Sequence, residues 1–338
     1  MKISYRIVFF VIIISGLFLG WNLFGPISST PEKKFFYIKT GSNYNDVQNE
    51  LIKQHVLSST FLFDIICKAI QYKEKVKPGR YEISEGTSLI GLIRKLKSGN
   101  QKEVRLVITK LRTKENLAQK IGSQFEADSQ QVIRFLLNND SLKAFEVDTN
   151  TVMSLIIPNS YLLWWNGSVG KIFSRLKTQH DYFWEGKRSA KAKRLGLNSN
   201  EVYTIASIVE EETNAQSDKG KIASVYINRL KKGMKLEADP TVKYAMRNFE
   251  LKRILHGHLT FASPYNTYQN TGLPPGPICT PTISTIDAVL DAPATNYLFF
   301  VAKPDLSGYS NFSPDYSTHL INAKLYQQAI NKLYQQED

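Results

Sequence analysis

Cysteine is scarce in this chain: Cys67 and Cys279 are the only two in 338 residues, and neither sits in a CxxC or lipid-attachment context. That excludes a disulfide framework and favours two isolated buried thiols over a single bridge between them. Also missing are HExxH, GxSxG, the phosphate-binding loop and GxGxxG, while His256 and His258 make no more than HxH. Metal hydrolase, serine hydrolase and nucleotide-dependent enzyme therefore lack support, and the sequence calls for no metal and no cofactor. No repeat of solenoid period occurs. Acidic residues are outnumbered, 30 against 43 Lys and Arg, for a net charge of +13. A negatively charged partner is the natural complement: nucleic acid, anionic lipid or an acidic wall polymer. The cations are scattered without interleaved aromatics, which argues against nucleic acid. A merely solvated basic surface fits the same numbers.

A hydrophobic content of 42% with 22% charged residues is that of a folded protein, long enough for a small accessory domain and a larger one. The run Ile7 to Phe24 carries no charge and follows Lys2 and Arg6. It reads as a single membrane span (7–25) after a cytoplasmic tail (1–6), with the rest of the chain outside the cytoplasmic membrane. A cleavable signal peptide is the rival, although no small-x-small cleavage site follows. Lys33 and Lys34, on the expected outer side, weaken the charge asymmetry. Residues 26–34, with Pro31, read as a tether.

Beyond the tether the expected class is α+β. Phe35 to Ile38 is strand-like and leads through Gly41 into a helical spacing of Val47 and Leu51; Gly79 to Ile83 repeats the pattern, with Thr87 as cap of a helix ending at Gly99. The two strands are expected to pair, with Val104 to Thr109 closing the unit. The segments GSNYNDVQNEL and SEGTSLIGLIRKLKSG resemble the LysM-type glycan-binding module, which makes 35–110 a small LysM-like α+β subdomain. Residues 111–195 read as a mostly helical connector, broken at Ile157 to Tyr161 and ending in an exposed basic loop, Lys187 to Lys193. Residues 196–338 read as a larger mixed α+β catalytic domain. It includes a buried strand at Leu298 to Ala302, a second strand at Ser310 to Ser313 and a terminal helix from about Tyr316, in which His319 is a cap or surface residue.

The chemistry concentrates in EVYTIASIVEEET, Glu201 to Thr213, a helix with Asn200 available as its cap. At about 100° per residue, Glu212 lies i+4 from Ile208 and i+7 from Ile205, in the apolar stripe, with Glu210 and Glu211 pointing away. A carboxyl held against apolar side chains loses hydration of its charged form, so it stays protonated nearer neutrality, as a general acid must. The alternative is a structural partner for an arginine such as Arg229. Asp239, before Pro240, reads as a helix cap. The stretch Ser263 to Pro277 reads as a rigid polar-aromatic loop of the kind that lines clefts, with Tyr rings for sugar faces and Asn and Thr for hydroxyl and acetamido groups.

Together IASIVEEET, ASVYINRLKKGMKLEADPTV, SPYNTYQNTGLPPGPI, YLFFVAK and IPNSYLLWWN resemble the endolytic murein transglycosylase family, the YceG-like or MltG proteins, over essentially the whole chain. The resemblance implies a lytic transglycosylase that cleaves between MurNAc and GlcNAc inside nascent peptidoglycan strands and leaves 1,6-anhydro-MurNAc ends. It places the essential glutamate of an E-x-E-T signature on Glu212 and the first Glu on Glu210. Asn228, Thr241, Tyr265, Asn266 and Thr267 fall in matching blocks and are implied as substrate-binding residues, with cell-wall synthesis proteins as further partners. Two positions depart: Glu211 stands where Lys is common, and Leu162 follows Tyr161 where Glu is usual nearby, which touches the fine substrate contacts. A hydrolase, and a non-catalytic membrane-anchored glycan-binding scaffold, are the competing readings.

Overall fold

A long, mainly apolar run satisfies its own backbone hydrogen bonds as a helix, and the twenty residues Tyr5–Phe24 form one (α1), all but a few of its side chains exposed. The computed structural model describes residues 5–27, 34–251 and 253–335. The anticipated tail and tether lie largely outside these residues. The fold is mixed α+β and divides into two compact units that interleave in sequence.

The first unit comprises residues 1–106, 124–127 and 162–168. After α1 come β1 (Phe35–Ile38), α2 (Tyr44–Lys53), α3 (Phe61–Ala69), β2 (Gly79–Glu82) and α4 (Leu89–Ser98). β1 and β2 pair antiparallel, Phe36 opposite Tyr81, and bury Phe36, Ile38 and Tyr81 against Val47, Leu51, Phe63, Leu92 and Leu96. Leu23 and Ile27 pack on the same core. α2 starts in a capping box between Asn43 and Asp46, and α4 ends on Gly99 at φ 72°, a left-handed cap that glycine adopts without strain. Ser88 caps α4 rather than Thr87, whose hydroxyl donates to the Ser84 carbonyl.

The strand expected to close this unit pairs elsewhere: β3 (Val104–Ile108) is hydrogen-bonded to β4 (Asn159–Leu163), not to β1 or β2. Both strands bury alternate side chains, Leu106 and Ile108 on one and Tyr161 and Leu163 on the other, so their periods match.

The second unit comprises 107–123, 128–161 and 169–338. Its helices are α5 (Lys114–Gly122), α6 (Ser129–Leu136), α7 (Asn139–Leu142), α8 (Val169–Trp184), α9 (Lys187–Leu195), α10 (Ser199–Glu212), α11 (Gln216–Lys231), α12 (Asp239–Ala245), α13 (His256–Leu259) and α14 (Ile283–Leu290), followed by β5 (Phe299–Ala302), β6 (Ser310–Ser313) and α15 (Tyr316–Gln335). α10 is the axis of the core, with α9, α11, α12 and α14 against it and every residue from Val202 to Val209 buried. The basic stretch 187–193 is helix α9, not a loop. Arg188 makes a bidentate pair with Asp287 and Lys191 reaches Asp291, so its cations meet an acidic face of α14 while Ala192 is buried. β5 pairs antiparallel with β6 and is half-buried rather than fully buried. His319 is not a cap; its ring stacks on Phe299, 5.2 Å between centroids, and Asp315 caps that helix through the Thr318 amide.

Candidate active site

Helix α10 delivers three consecutive carboxylates at its C-terminal end, and their surroundings separate them. Asn198, not Asn200, fixes the start of the helix in a capping box with Glu201; Asn200 accepts instead from the Ser154 hydroxyl. At the far end neither Glu210 nor Glu211 faces open solvent, because α10 is covered nearly all round. Glu210 accepts from Lys219 Nζ at 3.0 Å and from the hydroxyls of Thr282 and Thr285, and both charged side chains are over 90% buried. Glu211 is held by Arg112 in two bonds of 3.0 and 3.1 Å and by Lys110 at 2.9 Å. Burial pushes both carboxyls up, but these hydrogen bonds and cations outweigh it and hold them below the ordinary glutamate value.

Glu212 differs. Loss of hydration pushes it up to about 7; the Tyr226 hydroxyl, donating to Oε1 at 2.8 Å, works the other way, nearby Asp239 adds to the rise and Lys243 counters it. Oε2 has no protein donor among the described residues, so the proton of the neutral acid sits on Oε2. Arg229 is not its partner. That guanidinium is taken by the carbonyls of Leu298, Lys235 and Leu236 and by Glu237 at 2.9 Å.

Glu212 lines a cavity of about 260 Å³ with Asp239, Pro240 and Lys243 from the first turns of α12, Glu211 and Arg112, and the rings of Tyr244 and Phe249. Arg112 and Phe249 also line a second, open hollow of about 590 Å³ edged by Lys110, Glu115 and Arg247. The two make a trough leading away from the carboxyl.

Three loops fix its walls. Thr280 exchanges backbone and side-chain hydrogen bonds with Leu111 and Thr109, which brings Lys110 and Arg112 over Glu211. Gly276 is required there, since a β-carbon would lie 2.1 Å from the Asn150 carbonyl oxygen. Asp239 is a wall residue rather than a cap: Ala238 occupies the cap position, and Asp239 accepts from the Tyr268 hydroxyl at 2.7 Å.

The implied substrate-binding residues stand behind these walls. Thr241 and Thr267 are fully buried and bonded to each other at 2.8 Å, with the Ala238 amide donating to Thr267, so they clamp the start of α12. Asn266, also fully buried, donates to the carbonyls of Leu259 and Phe261, and Asn228 to those of Thr295 and Tyr297. Tyr265 packs on Tyr244 at 4.8 Å. None of the five lines the cavity, and Glu210 meets α11 and α14. Their alternation of polar and aromatic types looks like a cleft wall in sequence because a buried hydrogen-bonded clamp uses the same residues. Tyr226, Asp239, Lys243 and Arg112 are the residues that sequence reasoning did not assign to the site. Tyr226, fourteen positions after Glu212, carried no signal of its own, whereas Asp239 did.

A YceG-like family model matches residues 36–325. The chain belongs to the YceG-like family. It is 32% identical over 318 residues to a Bacillus subtilis protein named endolytic murein transglycosylase, covering 86% of this chain and 85% of that one. A Streptococcus pneumoniae protein of the same name is 24% identical over 360 residues, and this chain spans 65% of its length. Among solved structures a yceG-like protein of Listeria monocytogenes superposes with a TM-score of 0.55 at 26% identity, covering 86% of this chain and 98% of that one.

Proposed function

We propose that this YceG-like chain is a peptidoglycan lytic transglycosylase that cleaves the MurNAc–GlcNAc bond inside nascent strands, with Glu212 as acid and then base. The observation that carries the reading is a carboxyl at a cavity wall whose surroundings raise it to about 7, directly after two carboxylates that are charge-paired. The name shared by its curated relatives supports the same reaction class. In the first step Glu212 gives its proton to the glycosidic oxygen; the C1–O bond breaks and the leaving GlcNAc carries the proton away as its 4-hydroxyl. Positive charge at C1 is offset by Asp239, which the Tyr268 hydroxyl holds at the cavity wall. In the second step the Glu212 carboxylate takes the proton of the MurNAc 6-hydroxyl as that oxygen closes on C1. No water is consumed, and no second carboxyl exchanges a proton, unlike the paired acids of hydrolytic glycosidases.

The apolar helix α1 is the membrane anchor in this reading. Its twenty residues span about 30 Å at 1.5 Å each, the thickness of a bilayer core. The tail (1–6), span (7–25), tether (26–34), LysM-like glycan module (35–110), connector (111–195) and catalytic part (196–338) then follow from cytoplasm to wall, with wall-synthesis proteins as neighbours. Digestion of purified peptidoglycan followed by mass spectrometry of the fragments tests the proposal: wild type gives anhydro ends, and Glu212→Gln gives none. Reducing MurNAc ends would make it a hydrolase, and an inactive wild type a scaffold.

A further inference from the structure

The Glu212 cavity holds one cation that the fold leaves unpaired among the described residues. Arg112 is committed to Glu211 and lies 5.1 Å from the centroid of the Phe249 ring. Lys110 is committed to the same carboxylate at 2.9 Å, and Arg247, at the edge of the adjoining hollow, to Glu115 at 3.1 Å. Lys243 differs: half-buried and lining the cavity, it has no hydrogen bond or ion pair with any described residue. It stands four residues beyond Asp239 in α12, hence on the same helix face, about 6 Å further along the axis. Asp239 bonds the Tyr268 hydroxyl at 2.7 Å, not the lysine. The cavity wall thus presents a carboxylate and, one turn on, an ammonium whose donors await an acceptor.

A peptidoglycan strand poses a choice that this pair can make. Its two sugars alternate through the same type of glycosidic bond and differ only at the oxygen on C3, which in MurNAc carries a lactyl arm. That arm ends in a carboxylate, or in a peptide that brings carboxylates of its own. We infer that Lys243 binds a carboxylate borne on the lactyl arm of the MurNAc whose C1 is attacked, and so determines which of the two alternating bonds meets Glu212. With C1 beside Asp239, the arm on C3 of the same ring extends toward the residue one turn on. The open hollow past Arg112 and Phe249 receives the peptide beyond it. An ammonium awaiting an anion discriminates against the sugar that lacks one, because binding that sugar strips water from the cation and returns no partner. The inference rests on the reading of the chain as a transglycosylase that cuts at MurNAc, and it adds the residue that recognises that sugar.

The test titrates three forms of a short MurNAc–GlcNAc oligomer into the full chain in detergent micelles, by calorimetry. A Glu212→Gln background prevents cleavage and removes the titration that Lys243 influences. The forms carry the intact peptide, the bare lactyl carboxylate left by an amidase, and that same carboxyl capped as its methylamide. The capped form is expected to bind about tenfold more weakly than the better of the other two, the scale of one charge-assisted hydrogen bond. Whichever carboxylate form binds more tightly gives the source of the anion. Lys243→Met should abolish the preference and Lys243→Arg should keep most of it; Lys243→Gln decides the matter where the Met variant fails to fold. No binding by the parent, equal binding of all three forms, or a preference that survives loss of the charge would each overturn the inference. So would an equal weakening of all three forms in the variants, the mark of a merely structural role. Failure of the cleavage reading looks different: binding keeps its Lys243-dependent preference, yet wild type leaves no anhydro ends.

Discussion

Replacing Glu212 by Gln should stabilise the protein, and only at high pH. In the fold Glu212 titrates near 7 against an ordinary value of 4.5, because its charged form is poorly hydrated. Below pH 4.5 the folded and unfolded chains both carry the proton and the residue contributes no difference. As pH rises, the unfolded chain releases its proton first, folding must take one up, and stability falls until the folded carboxyl also ionises near 7. At 1.36 kcal/mol per pH unit the loss above pH 7 amounts to roughly 3 kcal/mol. Gln has nearly the same shape, still accepts from Tyr226 and does not ionise. Thermal unfolding of Glu212→Gln and wild type, followed by circular dichroism from pH 4 to 8.5, should therefore coincide at the acid end. At pH 8 the variant should melt higher by roughly 6–12 °C, at 2–4 °C per kcal/mol for a unit of this size. A constant difference across the range, or none, would refute the claim that the fold works against the carboxylate.

The same surroundings set the activity profile: turnover should fall as pH rises through about 7, when Glu212 loses its proton. Tyr226→Phe removes a bond that favours the carboxylate, so the falling limb should move to higher pH, whereas Asp239→Asn removes a like charge and should move it lower; pH–rate profiles on soluble glycan strands check both signs. Lys219→Met strands the buried Glu210 carboxylate and should cost about 3–5 kcal/mol in urea unfolding, most of it recovered when Glu210→Gln is added. Thr267→Val leaves the buried Ala238 amide without its acceptor; it should cost about 1–3 kcal/mol and lower turnover by loosening the turn that carries Asp239.

Periodicity made the main elements legible. The alternation at Phe35 to Ile38, the Val47–Leu51 spacing, the strands near 299 and 310 and the long terminal helix all stand close to where the pattern puts them. Helix α3 was not anticipated, although Phe63 and Cys67 repeat at helical spacing. The basic segment 187–193 misled because its partners, Asp287 and Asp291, are about a hundred residues away. The pairing of β3 with β4 was hidden for the same reason: a strand's pattern states which face is buried, never which strand lies beside it.

At the site, the spacing from Ile205 and Ile208 singled out Glu212, which lines the cavity, but Glu211 lines it too, and the helical face does not say what separates them. All three carboxylates are at least partly buried, and what distinguishes them is the cation each meets: Lys219 for Glu210, Lys110 and Arg112 for Glu211, none in direct contact with Glu212 among the described residues. Glu211, at a position where Lys is usual in the pattern it resembles, has its charge met by two cations from the 107–112 segment. Such long-range pairing lies outside any local window.

In the proposed reaction one carboxyl cuts the strand without spending a water molecule. Digesting peptidoglycan with the wild-type chain in heavy-oxygen water and weighing the new MurNAc ends tests this most directly. Anhydro ends free of the heavy isotope, formed by wild type and not by Glu212→Gln, are the predicted result. Heavy oxygen incorporated at C1 during cleavage, or cutting that survives Glu212→Gln, would contradict it.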